Sequence, residues 1–496
     1  MREMTIAELR NAMTSGLYSA RTITQMYLAR IEALNRRGPM INAVIEVNPD
    51  ALDIAAALDA ERHATGARGP LHGIPILLKD NIDTADKMMT TAGSLALEGN
   101  YAAQDAFVTQ KLREAGAILL GKTNLSEWAN FRSTRSSSGW SSRGGRTRNP
   151  YALDRNPSGS SSGSGAAVAA NFCAVAIGTE TDGSIVSPAS MNGIVGFKPT
   201  VGLVSRSGII PIAHTQDTAG PMARTVADAA LVLSALAGID PRDEMTAASA
   251  GHAHTDYTQF LDKDGLHGMR IGIARDFCGF HERVDAIVEE SIAALQRAGA
   301  VVVDPVEIKT AKVLREPEWQ TLQYEFKADL NKYLANVAPD VAVHSLADVI
   351  AFNNEHRERV MPYFGQELHI MSQEKGPLES EEYQRLTAEK HRLARDEGID
   401  ATLREHRLDA IMAPSNGPAW VTDLIGGDRF LGGSSGPAAV AGYPNITVPA
   451  GYVYGMPINV SFFAGAWQDG TILRIAYAFE QATMVRRPPQ FRQTAV

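Results

Sequence analysis

Three short stretches of this 496-residue chain carry residues that could do chemistry. In GIPILLKDNIDT, Lys79 closes the apolar run Ile74-Pro75-Ile76-Leu77-Leu78. Burial at the end of such a run disfavours the ammonium, lowers the pKa and frees a neutral amine to act as a base. The competing reading is a lysine that snorkels to solvent or pairs with Asp80. In GTETDGSI, small and turn-forming residues surround Ser184. A tight turn there aims several backbone N–H groups at one point, which is how an oxyanion hole is built, and makes Ser184 a nucleophile candidate. Asp-Gly-Ser is also a common turn without any such role. In GAILLGKTN, Gly116 and Gly121-Lys122-Thr123 have the spacing of the phosphate-cradling loop of NTPases.

Two of the motif matches conflict with their surroundings. GSSSG, residues 159–163, fits a nucleophile elbow, but that motif needs a strand before it. Here the preceding RNPYALDRNPS is punctuated by prolines and cannot be a central strand. In a phosphate loop the residues between the glycines wrap the phosphates. Here residues 117–120 read as a buried strand that follows a helix, with 121–127 as the turn after it. Sheet pairing then claims the N–H groups that would hold phosphate.

The elements around these stretches alternate between helix and strand. Thr5 and Glu8 have capping-box spacing and open a first helix. In SARTITQMYLARIEALN, residues Ile23, Met26, Tyr27, Ile31 and Leu34 share one helical face, and ALDIAAALDAERHA gives a third helix. Residues 1–65 therefore read as helices packed on something larger. DAFVTQKLREAGA is helical. Residues 133–165, rich in Ser, Gly, Arg and Asn, form a long irregular loop, a length that is usually functional inside a compact domain. A small-residue helix and a strand lead to the Ser184 turn. Helices and strands continue in TVADAALVLSALAG, MRIGIARDF, VDAIVEESIAALQRAGAVVVD, LDAIMAP and NITVPAG. The pattern predicts an α/β fold, one α/β/α domain over 1–496 with a central mixed sheet flanked by helices. Residues 236–309 and 401–496 supply the rest of the sheet and its helices. The polar, helical 310–400 is expected to cover the substrate side.

Composition narrows the function classes. A net charge of -9 without a Lys/Arg-rich run gives no nucleic-acid partner. Two cysteines, Cys173 and Cys278, make neither a disulfide framework nor a metal cluster, and each is expected as a buried structural thiol. No apolar stretch reaches the ~20 residues of a membrane span. MREMTIAELR lacks the apolar centre of a signal peptide. The expectation is a cytoplasmic enzyme without metal, cofactor or membrane partner, acting as a monomer or homodimer.

Taken together, the motifs resemble the amidase signature family. GIPILLKDNIDT, TTAGS, GKTNLSEWA, RNPSGSSSGSGAAVAA, GTETDGSI and GFKPTVGLVSRSGIIP stand in that family's order and spacing over 66–235. DTAGPMARTVADAA extends the match, which returns in LDAIMAP, AGYPNITVPAG and RRPPQF. The wording of GTETDGSIVSPAS and SEWANF is most like bacterial peptide amidases, which release ammonia from C-terminally amidated peptides. The resemblance implies a Ser-Ser-Lys triad of Ser184 as nucleophile, Ser160 as bridging serine on a cis peptide, and Lys79 as base. It implies an oxyanion hole from the backbone of Thr181, Asp182, Gly183 and Ser184, with an acyl-enzyme intermediate. Asp80 and Asn81 would support the lysine, Ser161 would pack against the triad, and Thr134 and Ser136 would approach substrate. The substrate would be a small-molecule or peptide amide. Trp128, Phe131 and Trp140 read as core aromatics before pocket walls, and Asp217 and Arg224 as structural. The sequence departs from the family at Asp182, Val186 and Ser158, where Gly, Arg and Gly are common. Alternatives within the resemblance are an aryl-amide, acyl-amide or carbamate hydrolase and the A-type component of an amidotransferase. An NTP-binding protein and a non-catalytic amide binder lie outside it.

Overall fold

The alternating apolar segments become the strands of a single sheet in the computed structural model, which describes residues 2–495. Among those residues eleven strands lie in the spatial order Val44–Val47, Ile118–Thr123, Pro75–Lys79, Val175–Glu180, Thr218–Ala223, Val195–Lys198, Asn445–Val453, Met456–Phe463, Ala410–Pro414, Arg270–Ala274 and Val301–Val306. Pro75–Lys79 pairs in parallel with both of its neighbours, as does Arg270–Ala274, and the remaining pairs are antiparallel. The sheet is thus mixed, with helices such as Ala20–Leu34, Val226–Leu236 and Asp469–Thr483 flanking it. The central strands Pro75–Lys79, Ile118–Thr123 and Val175–Glu180 are buried along their whole length, as expected for strands covered on both faces.

The capping box at the first helix is present: Thr5 accepts from the N–H of Glu8, and the Glu8 carboxylate accepts from the N–H of Thr5 at 2.8 Å. Four sequence expectations need correction. Residues 1–65 are not helices alone, because Val44–Val47 adds an edge strand antiparallel to Ile118–Thr123. The strand expected over 117–120 runs on through Gly121-Lys122-Thr123, so these residues are not a turn. Lys122 is fully buried inside it, and its Nζ donates to Ile82 O at 2.7 Å and Thr90 Oγ1 at 2.9 Å. Gly121 permits the close approach of the edge strand, since a Cβ there would lie 2.4 Å from Glu46 O. The irregular loop ends at Ser161, where the helix Ser162–Ala169 begins, and contains a small hairpin of Trp140–Ser141 and Gly145–Arg146. Cys173 is buried, but Cys278 is only half-buried, because it follows a short 3-10 turn at the sheet's rim.

The helices within 310–400 bury Leu322, Phe326, Leu346 and Leu368 in a cluster with Trp128 and Phe131. Phe131 packs on Phe326 with ring centroids 5.0 Å apart. The aromatics of SEWANF therefore join these helices to the sheet-forming half of the chain. Arg224 is also structural, donating to the carbonyls of Met4 and Cys173 at 2.6 and 2.9 Å.

Candidate active site

Three separate pieces of strand and loop bring Lys79, Ser160 and the Ser184 turn together. Lys79 ends its strand with no solvent exposure, and its Nζ lies 2.7 Å from Ser160 Oγ, 2.8 Å from Thr179 Oγ1 and 3.2 Å from Thr179 O. Asn81 Nδ2 donates to Thr179 Oγ1 at 3.1 Å from the other side. Burial pushes the Lys79 amine down to about 7, opposed by the nearby charges of Asp217 and Glu180. A neutral amine has two N–H groups and one lone pair. When the amine is neutral, the Thr179 carbonyl and hydroxyl can accept both hydrogens, and the Ser160 hydroxyl can then turn its hydrogen to the lone pair.

Ser160 follows a cis peptide bond with Gly159. A side chain at 159 would collide with Ser126, whose Oγ would lie 2.1 Å from the added Cβ. Ser126 N–H donates to Ser160 O at 3.0 Å. The next residue ties this segment to the Ser184 turn: Ser161 N–H donates to Ser184 O at 3.1 Å, and Ser161 Oγ donates to Thr179 O at 3.1 Å. Ser158, at φ 61, pairs its hydroxyl with that of Ser187 at 2.7 Å, one turn beyond Ser184.

The turn itself is held from below by Glu180. Its Oε2 accepts from the N–H of Ile185 at 2.7 Å and of Val186 at 3.0 Å, where the helix Val186–Met191 starts. Gly183 sits at φ +75, in the left-handed region, with Ser435 across from it. Ser184 is 8% exposed, whereas Lys79 has no exposure. Thr181 is gripped twice. Its Oγ1 donates to Asp217 Oδ1 at 2.5 Å, and its carbonyl accepts from Gln216 Nε2 at 3.3 Å. A cavity of about 850 Å³ reaches this region and is lined by Asn81, Thr179, Thr181, Ile210, Asp217 and Tyr333 among others.

Asp80 is fully buried beside Lys79 and points away from the serines. Its carboxylate accepts from Thr91 and from Gly93 N–H at 3.2 Å, with Arg143 at 3.5 Å, and burial raises its pKa against the pull of Arg143 and Lys122. Thr134 is exposed, and Ser136 lies in a turn closed on Ser133, its Oγ donating to Ser133 O at 3.0 Å. The structure does not bring either into contact with the Lys79 group. Residues not singled out from the sequence are Thr179, Glu180, Gln216 and Glu318. Glu318, on the helix Arg315–Leu334, accepts from Gln216 at 2.9 Å. Burial and the neighbouring Asp182 push it up to about 8. Glu180 and Thr179 sit in the GTETDGSI motif and could have been weighed there. Glu318 belongs to a helix whose polar pattern gives no sign of its partner.

His214, Glu325 and Asp329 are the one group among the described residues whose ligand atoms fall within 4.8 Å of each other. Each is engaged already. Asp329 is 2.8 Å from His214 Nδ1, and Glu325 accepts from Thr215 and Tyr383 with Lys390 at 3.8 Å. No helix among the described residues is long and apolar enough to cross a membrane.

Comparison with known proteins shows the family. The family model described as Amidase matches residues 22–473. The structure of native peptide amidase from Stenotrophomonas maltophilia superposes with a TM-score of 0.94 at 52% identity, covering 99% of each chain. A probable amidase of Arabidopsis thaliana is 43% identical over 99% of this chain and 92% of its own. A putative amidase of Schizosaccharomyces pombe is 38% identical over 99% of this chain and 87% of its own.

Proposed function

The chain belongs to the amidase family and is an amide hydrolase, and from that premise we propose that it cleaves linear amides through Ser184, Ser160 and Lys79, with C-terminal peptide amides as substrates. The observation that carries the reading is the 2.7 Å contact between Ser160 Oγ and a fully buried lysine whose pKa burial pushes down to about 7. The Ser161–Ser184 backbone bond sets the Ser160 segment beside the nucleophile turn.

In this scheme Ser184 gives its proton to Ser160 as Ser160 gives its own to Lys79. Ser184 Oγ bonds to the amide carbon. The backbone N–H groups of Thr181, Asp182, Gly183 and Ser184 surround the resulting oxyanion, each donor worth roughly 3–4 kcal/mol of barrier. The C–N bond then breaks as the proton returns through Ser160 to nitrogen, and ammonia leaves. Water attacks the acyl-enzyme by the same route, giving the carboxylate and free Ser184. The oxyanion role asks only for backbone at Asp182, so a side chain there is compatible with it.

The peptide-amide assignment rests on the 52% identity to a peptide amidase. A panel of an amidated dipeptide, an anilide and a carbamate tests it, and turnover of only the latter two overturns it. Turnover by the isolated chain argues against a role as one component of an amidotransferase. A serine-directed phosphonate is expected to label Ser184, and in active enzyme a label elsewhere overturns the mechanism.

A further inference from the structure

Asp217 stands outside the triad, yet it touches the site from two directions. Its Oδ1 accepts from Thr181 Oγ1 at 2.5 Å, while Oδ2 accepts from the backbone N–H of Ile212 at 2.8 Å and Ala213 at 2.9 Å. Its own N–H donates to Ala213 O at 2.9 Å. The carboxylate is therefore fixed by a backbone turn and reaches out to one side chain, at the head of the Ser184 turn. The preceding residue, Gln216, takes hold of the Thr181 carbonyl at 3.3 Å. Thr181 ends up clamped at its hydroxyl and its carbonyl by consecutive residues of another strand's approach. That leaves its peptide plane little freedom. Asp217 also lines the same cavity as Thr179, which accepts from Lys79, and Asn81, which donates to Thr179.

We infer that Asp217 is a positioning residue with two separable effects: its hydrogen bond fixes the Thr181 peptide of the oxyanion hole, and its charge, on the cavity wall it shares with Thr179, favours the ammonium form of Lys79. The inference rests on the reading of Lys79 as base and Thr181 as an oxyanion donor. Asp217 is the foremost charge opposing the loss of the Lys79 proton, ahead of Glu180. A negative neighbour favours the ammonium, so Asp217 holds the amine higher than burial alone would leave it. Burial pushes Asp217 itself up to about 6, and Asp329 pushes in the same direction. As pH falls, Lys79 takes up its proton near 7 while Asp217 is still largely charged, so the attraction acts on the acid limb of activity. The other charged groups that bear on the pair are Glu180 on the neighbouring strand, Lys390 from the helix Glu381–Ala394, and Arg206 in the cavity wall.

Two substitutions separate the effects. In Asp217→Asn the amide oxygen can accept from Ile212 and Ala213 while the NH2 group faces Thr181, whose hydroxyl rotates to accept. The charge goes and the clamp remains. Thr181→Val removes the hydroxyl half of the clamp and leaves the Asp217 carboxylate in place, held by the N–H groups of Ile212 and Ala213. The measurement is kcat/KM for an amidated dipeptide from pH 5 to 9, normalised by phosphonate titration of Ser184. The acid limb of Asp217→Asn is expected to move down by about 0.5–1 pH unit, the shift a unit charge several ångströms away produces at an effective dielectric well above that of dry protein. Thr181→Val is expected to lose roughly tenfold or more in its plateau, with a smaller shift of the limb than in Asp217→Asn, since its hydroxyl helps hold the Asp217 pKa down. An unmoved limb in Asp217→Asn, or a Thr181→Val plateau equal to that of the parent enzyme, overturns the inference. If the parent enzyme itself shows no acid limb near pH 7, or labels away from Ser184, it is the catalytic reading that fails.

Discussion

Replacing Lys79 by Met is expected to abolish turnover and, at neutral pH, to make the protein more stable. The folded chain holds this amine at about 7, against 10.5 for a free lysine. That difference of about 3.5 units corresponds to about 5 kcal/mol of bias against the ammonium in the folded state. Methionine fills similar volume without charge. It gives up the contacts to Ser160 Oγ, Thr179 Oγ1 and Thr179 O, at about 1 kcal/mol each. The net gain is about 2 kcal/mol at pH 7. The sign with pH follows from proton uptake. Between about 7 and 10.5 the unfolded chain keeps a proton on Lys79 that the folded chain has released, so the stability of the parent protein rises with pH there. Below about 7 both states are protonated and the lysine's cost is complete. The advantage of Lys79→Met is thus greatest in acid and shrinks by about 1.4 kcal/mol per unit above pH 7, reversing at about pH 8.5. Urea unfolding of both proteins at pH 7, 8 and 9 measures the gap, and other titrating groups cancel in the difference. A gap that stays constant from pH 7 to 9 refutes a buried amine that is neutral when folded.

Glu180→Ala leaves the N–H groups of Ile185 and Val186 without their carboxylate. It is expected to cost about 2–4 kcal/mol of stability and to lower kcat more than it raises KM, as read by thermal melting and steady-state kinetics. Gly121→Ala places a Cβ 2.4 Å from Glu46 O and is expected to cost about 1–3 kcal/mol by pushing away the edge strand, measured as a fall in the urea midpoint. Calorimetric titration with ATP is expected to show no binding at 116–123, since micromolar affinity would require Lys122 to leave the sheet. His369 is fully buried between Phe326 and Trp128, and burial, with Arg132 nearby, pushes it down to about 3. Its unfolded form takes up a proton near 6.5, so stability is lost as pH falls from there towards 3. His369→Phe is expected to lose less stability between pH 6.5 and 4, in parallel melting experiments.

What was legible in the sequence depended on whether the signal was local. The strand carrying Lys79 announces itself because five apolar residues precede one charge, and the mixed sheet follows from the alternation of helix and strand. The burial of Lys122 was not legible. A lysine after a glycine looks like the end of a strand, and its acceptors, Ile82 O and Thr90 Oγ1, come from a segment well upstream in the chain. The edge strand Val44–Val47 was hidden for a related reason: four residues flanked by helices carry no period of their own, and only Gly121 on the partner strand makes room for them.

The same distinction separates the two lysines chemically. Both are buried without exposure, and burial lowers the pKa of each. Lys122 has acidic company on several sides, with Asp80, Asp83, Asp86 and Glu46 all favouring its ammonium. Its hydrogen bonds end on a carbonyl and a threonine. Lys79 has fewer opposing charges, Asp217 and Glu180, and a serine hydroxyl among its neighbours. Burial alone therefore does not tell the two apart. The distinguishing features are the number of nearby carboxylates and the serine hydroxyl beside Lys79. GIPILLKDN and GAILLGKTN look alike as strings, an apolar run closed by lysine, and only the residues folded around each set them apart: a serine hydroxyl beside Lys79, and four carboxylates around Lys122.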